Sequence, residues 1–316
     1  MTIHLRGALR DSLGLSDAQL NRLIVRSPHT YKVYTIPKRT GGKRTIAQPA
    51  KETKFIQHWL IRNVFCHLPV HACASAYQDG ASIKKNADAH RLQRYLAKFD
   101  FKNFFTSIKS DDLIIHMRRH LGSILEESAI DDVARISCIK LKAGGKLCLS
   151  IGAPSSPLLS NSIMFDFDSL VNGWCKKEGV IYTRYADDMT FSTNERDKSR
   201  EIEEFIRSAA RDVEYPALRF NTKKTVFLST KHSRRVTGIV INNQGELSLG
   251  RDRKREVSAL VHKFSFEELP EKEVYRLQGL LGFAKDVEPD FLERLKRKYS
   301  DELIRQILAI RKERDV

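Results

Sequence analysis

The chain has 316 residues, 41% of them hydrophobic and 9% aromatic, enough for a packed core and too many for a disordered chain. No apolar run approaches the roughly 18 residues of a membrane helix, and Met1–Arg10 has no signal-peptide core, so a soluble cytoplasmic protein without a membrane partner is expected. Lys and Arg number 55 against 39 Asp and Glu, a net +16. The excess is concentrated: residues 1–120 hold 21 basic and 8 acidic side chains (+13), residues 121–250 hold 18 and 17 (+1), and residues 251–316 hold 16 and 14 (+2). That distribution favours a polyanion, nucleic acid above all, gripped by the N-terminal part.

Residues 1–30 read as a helical lead-in, with Ser16 or Asp17 capping a helix that carries Leu20, Leu23 and Ile24. Tyr31–Ile36 alternates as a strand, Lys38-Arg39-Thr40-Gly41-Gly42-Lys43-Arg44 forms a basic hairpin tip, and residues 45–48 return as far as Pro49. Residues 51–67 read as one helix with Ile56, Leu60 and Val64 on one face. The cysteines Cys66, Cys73, Cys138, Cys148 and Cys175 form no CxxC pair and read as reduced thiols. Cys66, His67, His71 and Cys73 match no common zinc spacing and read as buried or loop residues.

Tyr95–Phe101 is expected as a strand leading to Asp100. Ser156, as a capping hydroxyl, and Pro157 open a helix whose apolar face is Leu159, Ile163, Phe167, Leu170 and Trp174. Val180–Tyr185 and Met189–Ser192 make a hairpin with Ala186-Asp187-Asp188 at its tip, and Val236–Ile241 and Glu246–Leu249 make another. Beyond residue 251 the spacing is helical throughout. Strands mixed with helices and followed by a helical bundle predict an α+β catalytic unit with a helical appendage.

Tyr185-Ala186-Asp187-Asp188 carries the sharpest chemical signal. Adjacent carboxylates repel, and a hard divalent cation such as Mg²⁺ is the natural counter-charge, since it takes oxygen ligands and leaves room for substrate phosphates. Asp100 ends an apolar run, where a charge needs a partner or a function. If its strand lies beside the 180–192 hairpin, Asp100 and Asp187 converge, and two cations about 3.5–4 Å apart fit between them.

The order Asp100, Gly152-Ala153-Pro154-Ser155-Ser156-Pro157, Tyr185-Ala186-Asp187-Asp188 and Lys223-Lys224-Thr225 resembles the palm of a reverse transcriptase over about residues 30–250. Asn86-Ala87-Asp88-Ala89-His90 matches the NAxxH element of retron reverse transcriptases, and Val236-Thr237-Gly238 their VTG triplet. The resemblance implies a right-hand polymerase fold: a lead-in (1–30), fingers and palm built of antiparallel sheet plus helices (31–250), and a C-terminal helical thumb that binds RNA (251–316).

By the same resemblance Asp100, Asp187 and Asp188 are the metal-binding triad, for two Mg²⁺ per active site or Mn²⁺ as a substitute. Phe105 is the steric gate against a ribonucleotide 2′-OH. Lys38, Arg39, Lys43 and Arg44 reach the incoming triphosphate, with Arg44 foremost. Lys224, or Lys223 beside it, protonates the leaving pyrophosphate, as a positioned acid would. Gly152 and Ala153 admit the template–nucleotide pair, although Ile151 stands where many relatives carry Gln. Val236, Thr237 and Gly238 resemble a primer grip. Asn86 and His90 either contact RNA or brace a helix. Arg251, Arg253, Lys254, Arg255, Arg294, Lys296, Arg297 and Lys298 are backbone-contact candidates, some of which pair with Glu on the same helix.

The implied activity is RNA-templated DNA synthesis from deoxynucleoside triphosphates. A cognate structured non-coding RNA is template and primer, a guanosine 2′-OH starts the chain, and the product is branched RNA-linked single-stranded DNA (msDNA). An effector protein encoded nearby and antiphage defence go with it. An intron-type or other bacterial reverse transcriptase, or an inactive RNA-binding scaffold, are the alternatives.

Overall fold

The computed structural model describes residues 3–38 and 41–311, so Arg39 of the expected basic tip lies outside the described residues. In chain order the elements are α1 (Leu5–Leu13), α2 (Asp17–Arg26), β1 (Tyr31–Pro37), β2 (Lys43–Pro49), α3 (Lys51–Asn63), α4 (Ile83–Asp88), β3 (Tyr95–Asp100), α5 (Phe104–Ser107), α6 (Ser110–Leu121), α7 (Glu127–Ser137), α8 (Ser156–Ile163) and α9 (Phe165–Lys177). They continue with β4 (Ile181–Tyr185), β5 (Asp188–Thr193), α10 (Ser199–Asp212), β6 (Val226–Ser229), β7 (Arg234–Val236), β8 (Ile239–Ile241), β9 (Leu247–Ser248) and the helices α11 (Arg251–Ser265), α12 (Glu271–Val287), α13 (Pro289–Tyr299) and α14 (Asp301–Ala309). Among the described residues no helix is long and apolar enough to cross a membrane.

The chain folds into two compact units, whose limits cut across the expected division at residues 30 and 250. The first holds residues 1–81, 97–191 and 196–227. Its lead-in is part of its core: Leu5, Leu9, Leu20 and Ile24 are buried with Ile56, Phe99, Met117, Val133 and Phe191. Ser16 caps α2 in a reciprocal capping box with Gln19, and Arg6 forks onto both Asp132 oxygens, at 2.6 and 3.0 Å. β1 and β2 pair antiparallel from Tyr31 opposite Pro49 to Pro37 opposite Lys43, closing on Gly41 and Gly42, both at positive φ. A four-stranded sheet in the order β4-β5-β3-β6 carries the acidic tip.

Two helices differ from their expected form. The 51–67 helix stops at Asn63, whose side chain takes the Trp59 carbonyl at 2.8 Å, and Phe65–His67 continues as a single 3₁₀ turn. The single helix expected from Ser156 breaks at Met164, which rotates the register so that Leu170 faces solvent. Ser155, not Ser156, is its N-cap, and the Ser156 hydroxyl instead accepts from the Ser150 amide at 3.3 Å.

The second unit holds residues 82–96, 192–195 and 228–316. Ala87 and Leu96 enter the same apolar core as Val236, Val257, Leu277, Leu281 and Ile304, so the NAxxH segment folds with the C-terminal helices. The expected 236–241 strand is two strands. Thr237 (φ +45°) and Gly238 (φ +86°) form a two-residue turn between β7 and β8, and β8 then pairs with β9. The Thr237 hydroxyl compensates its strained backbone by donating to the Ile83 carbonyl at 3.0 Å. Glu288, between α12 and α13, accepts from Ser248, the Leu249 amide, Lys254 and Arg294, and so ties three parts of the unit. Burial alone would raise its carboxyl, but Lys254, the Leu249 amide and Ser248 together hold it below the ordinary range.

Asn86 and His90 are buried within this unit, at 2% and 0% exposure, and His90 Nδ1 lies 2.7 Å from the Ser192 hydroxyl. Of the two readings open for them, burial supports the brace and not a direct RNA contact. Val236 is likewise buried, which removes its side chain from any grip on a primer. His90→Ala is expected to lower stability by about 1–3 kcal/mol, the cost of an orphaned buried partner. In denaturant titration that loss should appear while RNA affinity of the folded protein changes less than about threefold, within what one surface contact supplies. Unchanged stability with a large loss of RNA affinity would contradict this placement.

Candidate active site

The strand order β4-β5-β3-β6 sets β3 next to β5. The Phe101 amide donates to the Asp187 carbonyl at 3.3 Å, which places the end of β3 against the tip between β4 and β5. Ala186 turns that tip with φ +58°. Asp100, 8% exposed, accepts from Asn221 Nδ2 (3.2 Å) and from Lys224 Nζ (2.7 Å), while its backbone carbonyl takes the Asn221 amide at 2.7 Å. Asp188 accepts from Lys98 Nζ at 3.0 Å.

The electrostatics follow from this packing. Burial first, and then the Asp100 charge, push the Asp187 carboxyl up to about 6. Burial also raises Asp188, with the Lys98 ammonium opposing it. Burial would lower the Lys224 ammonium, but the Asp100, Asp187 and Asp188 carboxylates outweigh it and hold it above its ordinary value. Of the two expected lysines, Lys224 reaches the carboxylates, while Lys223 is exposed beside it.

Among the described residues no group of three or more His, Cys, Asp or Glu side chains is arranged to enclose a metal ion by itself. Mg²⁺ needs no such cage, since one or two carboxylates, water and substrate phosphates complete its shell. Three carboxylates, Asp187 and Asp188 among them pushed up by burial, are hard oxygen donors that fit that cation. Lys224 and Lys98 now supply the positive charge that a cation at Asp100 or Asp188 would replace.

Around the carboxylates, Phe105 is half-buried with its ring 5.4 Å from Phe104, compatible with a gate. Gly152 has φ +116°, and a Cβ there would stand 3.0 Å from the Ala47 carbonyl and from Ile46 Cγ2. The space it saves is filled by β2, whose Ala47 amide donates to the Ile151 carbonyl at 2.8 Å. Close backbone packing between these segments is therefore the first demand on this glycine, ahead of any approach by a template, and Ala153 beside it is buried. Lys38, Lys43 and Arg44 are exposed.

In the second unit, Lys254 and Arg294 pair with Glu288, and Lys296 with Glu293 and Asp301. Arg253 lies over the Phe283 ring. Arg251, Lys254, Arg255 and Ser258 line one open depression, and no ion pair engages Arg251 or Arg255 among the described residues. Arg297 and Lys298 are exposed.

Several site residues were not singled out by sequence reasoning. Lys98 stands two residues before Asp100 on the same strand, a spacing that could have revealed it. Tyr77 lies 6.4 Å from the Tyr185 ring, and burial and then the Asp187 charge raise its hydroxyl while Arg44 opposes them. Asn221 carries no local signal. Arg184 was legible as an arginine on the buried face of an alternating strand.

Because the folded-state value of Asp187 stands above its unfolded one, its contribution to stability is fully present below about pH 4 and is lost as pH rises through about 6. Asp187→Asn should therefore raise the Tm of metal-free protein at pH 7 by about 2–6 °C, while DNA synthesis falls at least about 10²-fold. The Tm gain should vanish near pH 4. Equal Tm for the two proteins at pH 7 would contradict the strained carboxylate.

A family model described as Reverse transcriptase (RNA-dependent DNA polymerase) matches residues 36–241. The Retron Ec83 reverse transcriptase of Escherichia coli is 40% identical over 287 residues, 88% of this chain and 89% of that one. The Retron Ec73 reverse transcriptase of the same species is 32% identical over 94% of this chain and 95% of its own. Telomerase from Candida albicans in complex with a TWJ fragment of telomeric RNA is similar at TM-score 0.48 and 14% identity, over 89% of this chain and 61% of that one, a distance that settles neither fold nor function. The antiparallel sheets and C-terminal helical bundle agree with the right-hand polymerase fold of the family, and the chain belongs to the retron reverse transcriptases, which are RNA-directed DNA polymerases.

Proposed function

We propose that this polymerase extends DNA by phosphoryl transfer at Asp100 and Asp187, on an RNA that is both template and primer. The observation that carries the reading is the packing of the end of β3 against the β4–β5 tip, where the Phe101 amide donates to the Asp187 carbonyl at 3.3 Å and sets Asp187 beside Asp100. Two like charges, one buried and one half-buried, are an arrangement that folding alone disfavours and that phosphoryl transfer uses. Divalent cations bound there, Mg²⁺ or in its place Mn²⁺, would acidify the attacking hydroxyl and neutralise the phosphates.

The side chains divide the remaining work. Asp188, held by Lys98, supports the pair. Lys224, kept protonated by its carboxylate neighbours, is placed to give its proton to the departing pyrophosphate. Lys43 and Arg44 meet the triphosphate from β2, with the charge of Arg44 already felt at Tyr77. Phe105 excludes a ribose 2′-OH, and Gly152-Ala153 flank the nascent pair. In the second unit Arg251, Arg253 and Arg255, with Thr237 and Gly238 at the β7–β8 turn, are the RNA-contact candidates.

Membership of the retron family is what suggests the finer reading proposed here: a cognate structured non-coding RNA as template and primer, priming from a guanosine 2′-OH, branched RNA-linked DNA, and antiphage defence with an effector encoded nearby. Four buried cysteines, with Cys66 also free, suit a reducing cytoplasm.

Purified protein should incorporate deoxynucleotides only with the cognate RNA, and the DNA should carry an RNA branch that RNase trims and DNase leaves. Synthesis that is indifferent to that RNA would contradict the template and priming assignment. Phe105→Ala should raise ribonucleotide kcat/KM relative to deoxynucleotide by about 10-fold or more, with DNA synthesis retained. RNA affinity should fall about 10³–10⁵-fold between 50 and 200 mM salt if 6–10 phosphates are contacted. A flat salt response removes the electrostatic grip.

A further inference from the structure

The alternation of β4 turns Tyr182 and Arg184 inward. Arg184 is wholly buried, as is Asp168 opposite it. Arg184 Nε donates to Asp168 Oδ1 at 2.9 Å and Nη2 donates to Oδ2 at 2.6 Å, while the Tyr182 hydroxyl donates to Oδ1 at 2.8 Å. Arg184 Nη1 donates in two directions, to Asn161 Oδ1 at 3.1 Å and to the Ala186 carbonyl at 3.0 Å. Asn161 is itself fixed, since its Nδ2 donates to the Ala76 carbonyl at 2.6 Å.

A buried ion pair is a poor device for stability alone. The cost of removing two charges from water offsets their attraction, and an apolar pair of similar volume often serves as well. An apolar pair cannot, however, donate to the Ala186 carbonyl. Ala186 is 5% exposed and holds a left-handed backbone that non-glycine residues rarely adopt. Its carbonyl belongs to the peptide that leads directly into Asp187, so the donor that fixes that peptide also fixes where the Asp187 side chain starts. The planar guanidinium can fork onto Asp168 and still present Nη1 to the turn, which a lysine cannot do.

We propose that Arg184, anchored by Asp168 and Asn161, is a positioning residue for catalysis: it holds the Ala186–Asp187 peptide so that the Asp187 carboxylate stays turned toward Asp100. The proposal rests on the cation-binding role given to Asp187 above. Arg184 touches neither nucleotide nor cation in this scheme and acts through the turn.

The test uses the full chain, with Mn²⁺ as the probe. Electron paramagnetic resonance reads its binding directly, thermal unfolding reads the fold, and single-nucleotide extension separates kcat from KM. The double variant Arg184→Met/Asp168→Leu removes the charges and keeps the bulk. Its Tm is expected within about 5 °C of the parent. Mn²⁺ binding is expected to weaken about 10–100-fold, the usual effect of losing a group that orients a metal ligand. Extension should show a matching fall in kcat and a nucleotide KM within about threefold, because nucleotide contacts are untouched. A folded double variant whose Mn²⁺ affinity and kcat stay within about twofold of the parent overturns the proposal, that change being far below the orienting effect.

Should the double variant fail to fold, Arg184→Lys, which keeps a charge against Asp168, is read by the same two measurements. Loss of the fold in both variants assigns the network to stability and also overturns the proposal. Asp187→Asn is measured alongside. If it leaves Mn²⁺ binding unchanged, the cation role of Asp187 fails, a result distinct from failure of the brace alone.

Discussion

Two carboxylates on adjacent segments repel each other, and partial burial makes that repulsion harder for water to screen. Asp100 and Asp187 are held in this relation by backbone and not by mutual attraction. The Phe101 amide on the Asp187 carbonyl and the Asn221 amide on the Asp100 carbonyl fix three chain segments, and the side chains are carried into one another's field. Most of the surrounding machinery reads as compensation. Lys224 and Asn221 hold Asp100, Lys98 holds Asp188, and burial with the Asp100 charge pushes Asp187 up to about 6.

The scaffold supplies this geometry from below and from the side. Phe99, Phe101, Phe191 and Phe220 interlock under the strands through edge-on and tilted ring contacts. Arg184 and Asp168 hold the turn from the interior. Gly152 lets β2 close onto the 150–153 segment, so the basic hairpin and the segment before α8 share one backbone junction. In the second unit Ala87 of the NAxxH segment and Val236 of the VTG triplet share one apolar core with the C-terminal helices. Buried Arg234 donates to the carbonyls of Gln93 and Asn242, and Thr237 to that of Ile83.

Much of this was legible in the sequence because it rests on local rules. The Ser16 cap, the Gly41-Gly42 turn, the Asp-Asp tip and the amphipathic spacing beyond residue 251 each follow from a few neighbouring residues. What escaped depends on partners far along the chain. Asn86 and His90 look like polar residues awaiting a ligand, yet His90 meets Ser192, 102 residues away, inside a core. Asn221 reaches back 121 residues to Asp100. The division into units failed to follow linear order for the same reason, since Ala87 and Leu96 pack with Leu277 and Leu281. Val236–Ile241 looked like one strand because β-branched residues flank Thr237-Gly238, and only the positive φ of both turn residues shows the reversal.

The central claim, that Asp100 and Asp187 share divalent cations, can be tested by Fe²⁺-directed cleavage, in which Fe²⁺ replaces Mg²⁺ and generates hydroxyl radicals where it binds. The account predicts backbone cuts clustered near residues 100 and 187, mapped by mass spectrometry, suppressed by excess Mg²⁺ and absent from Asp187→Asn. Cuts concentrated elsewhere, or cuts at these positions that persist in that variant, would contradict it.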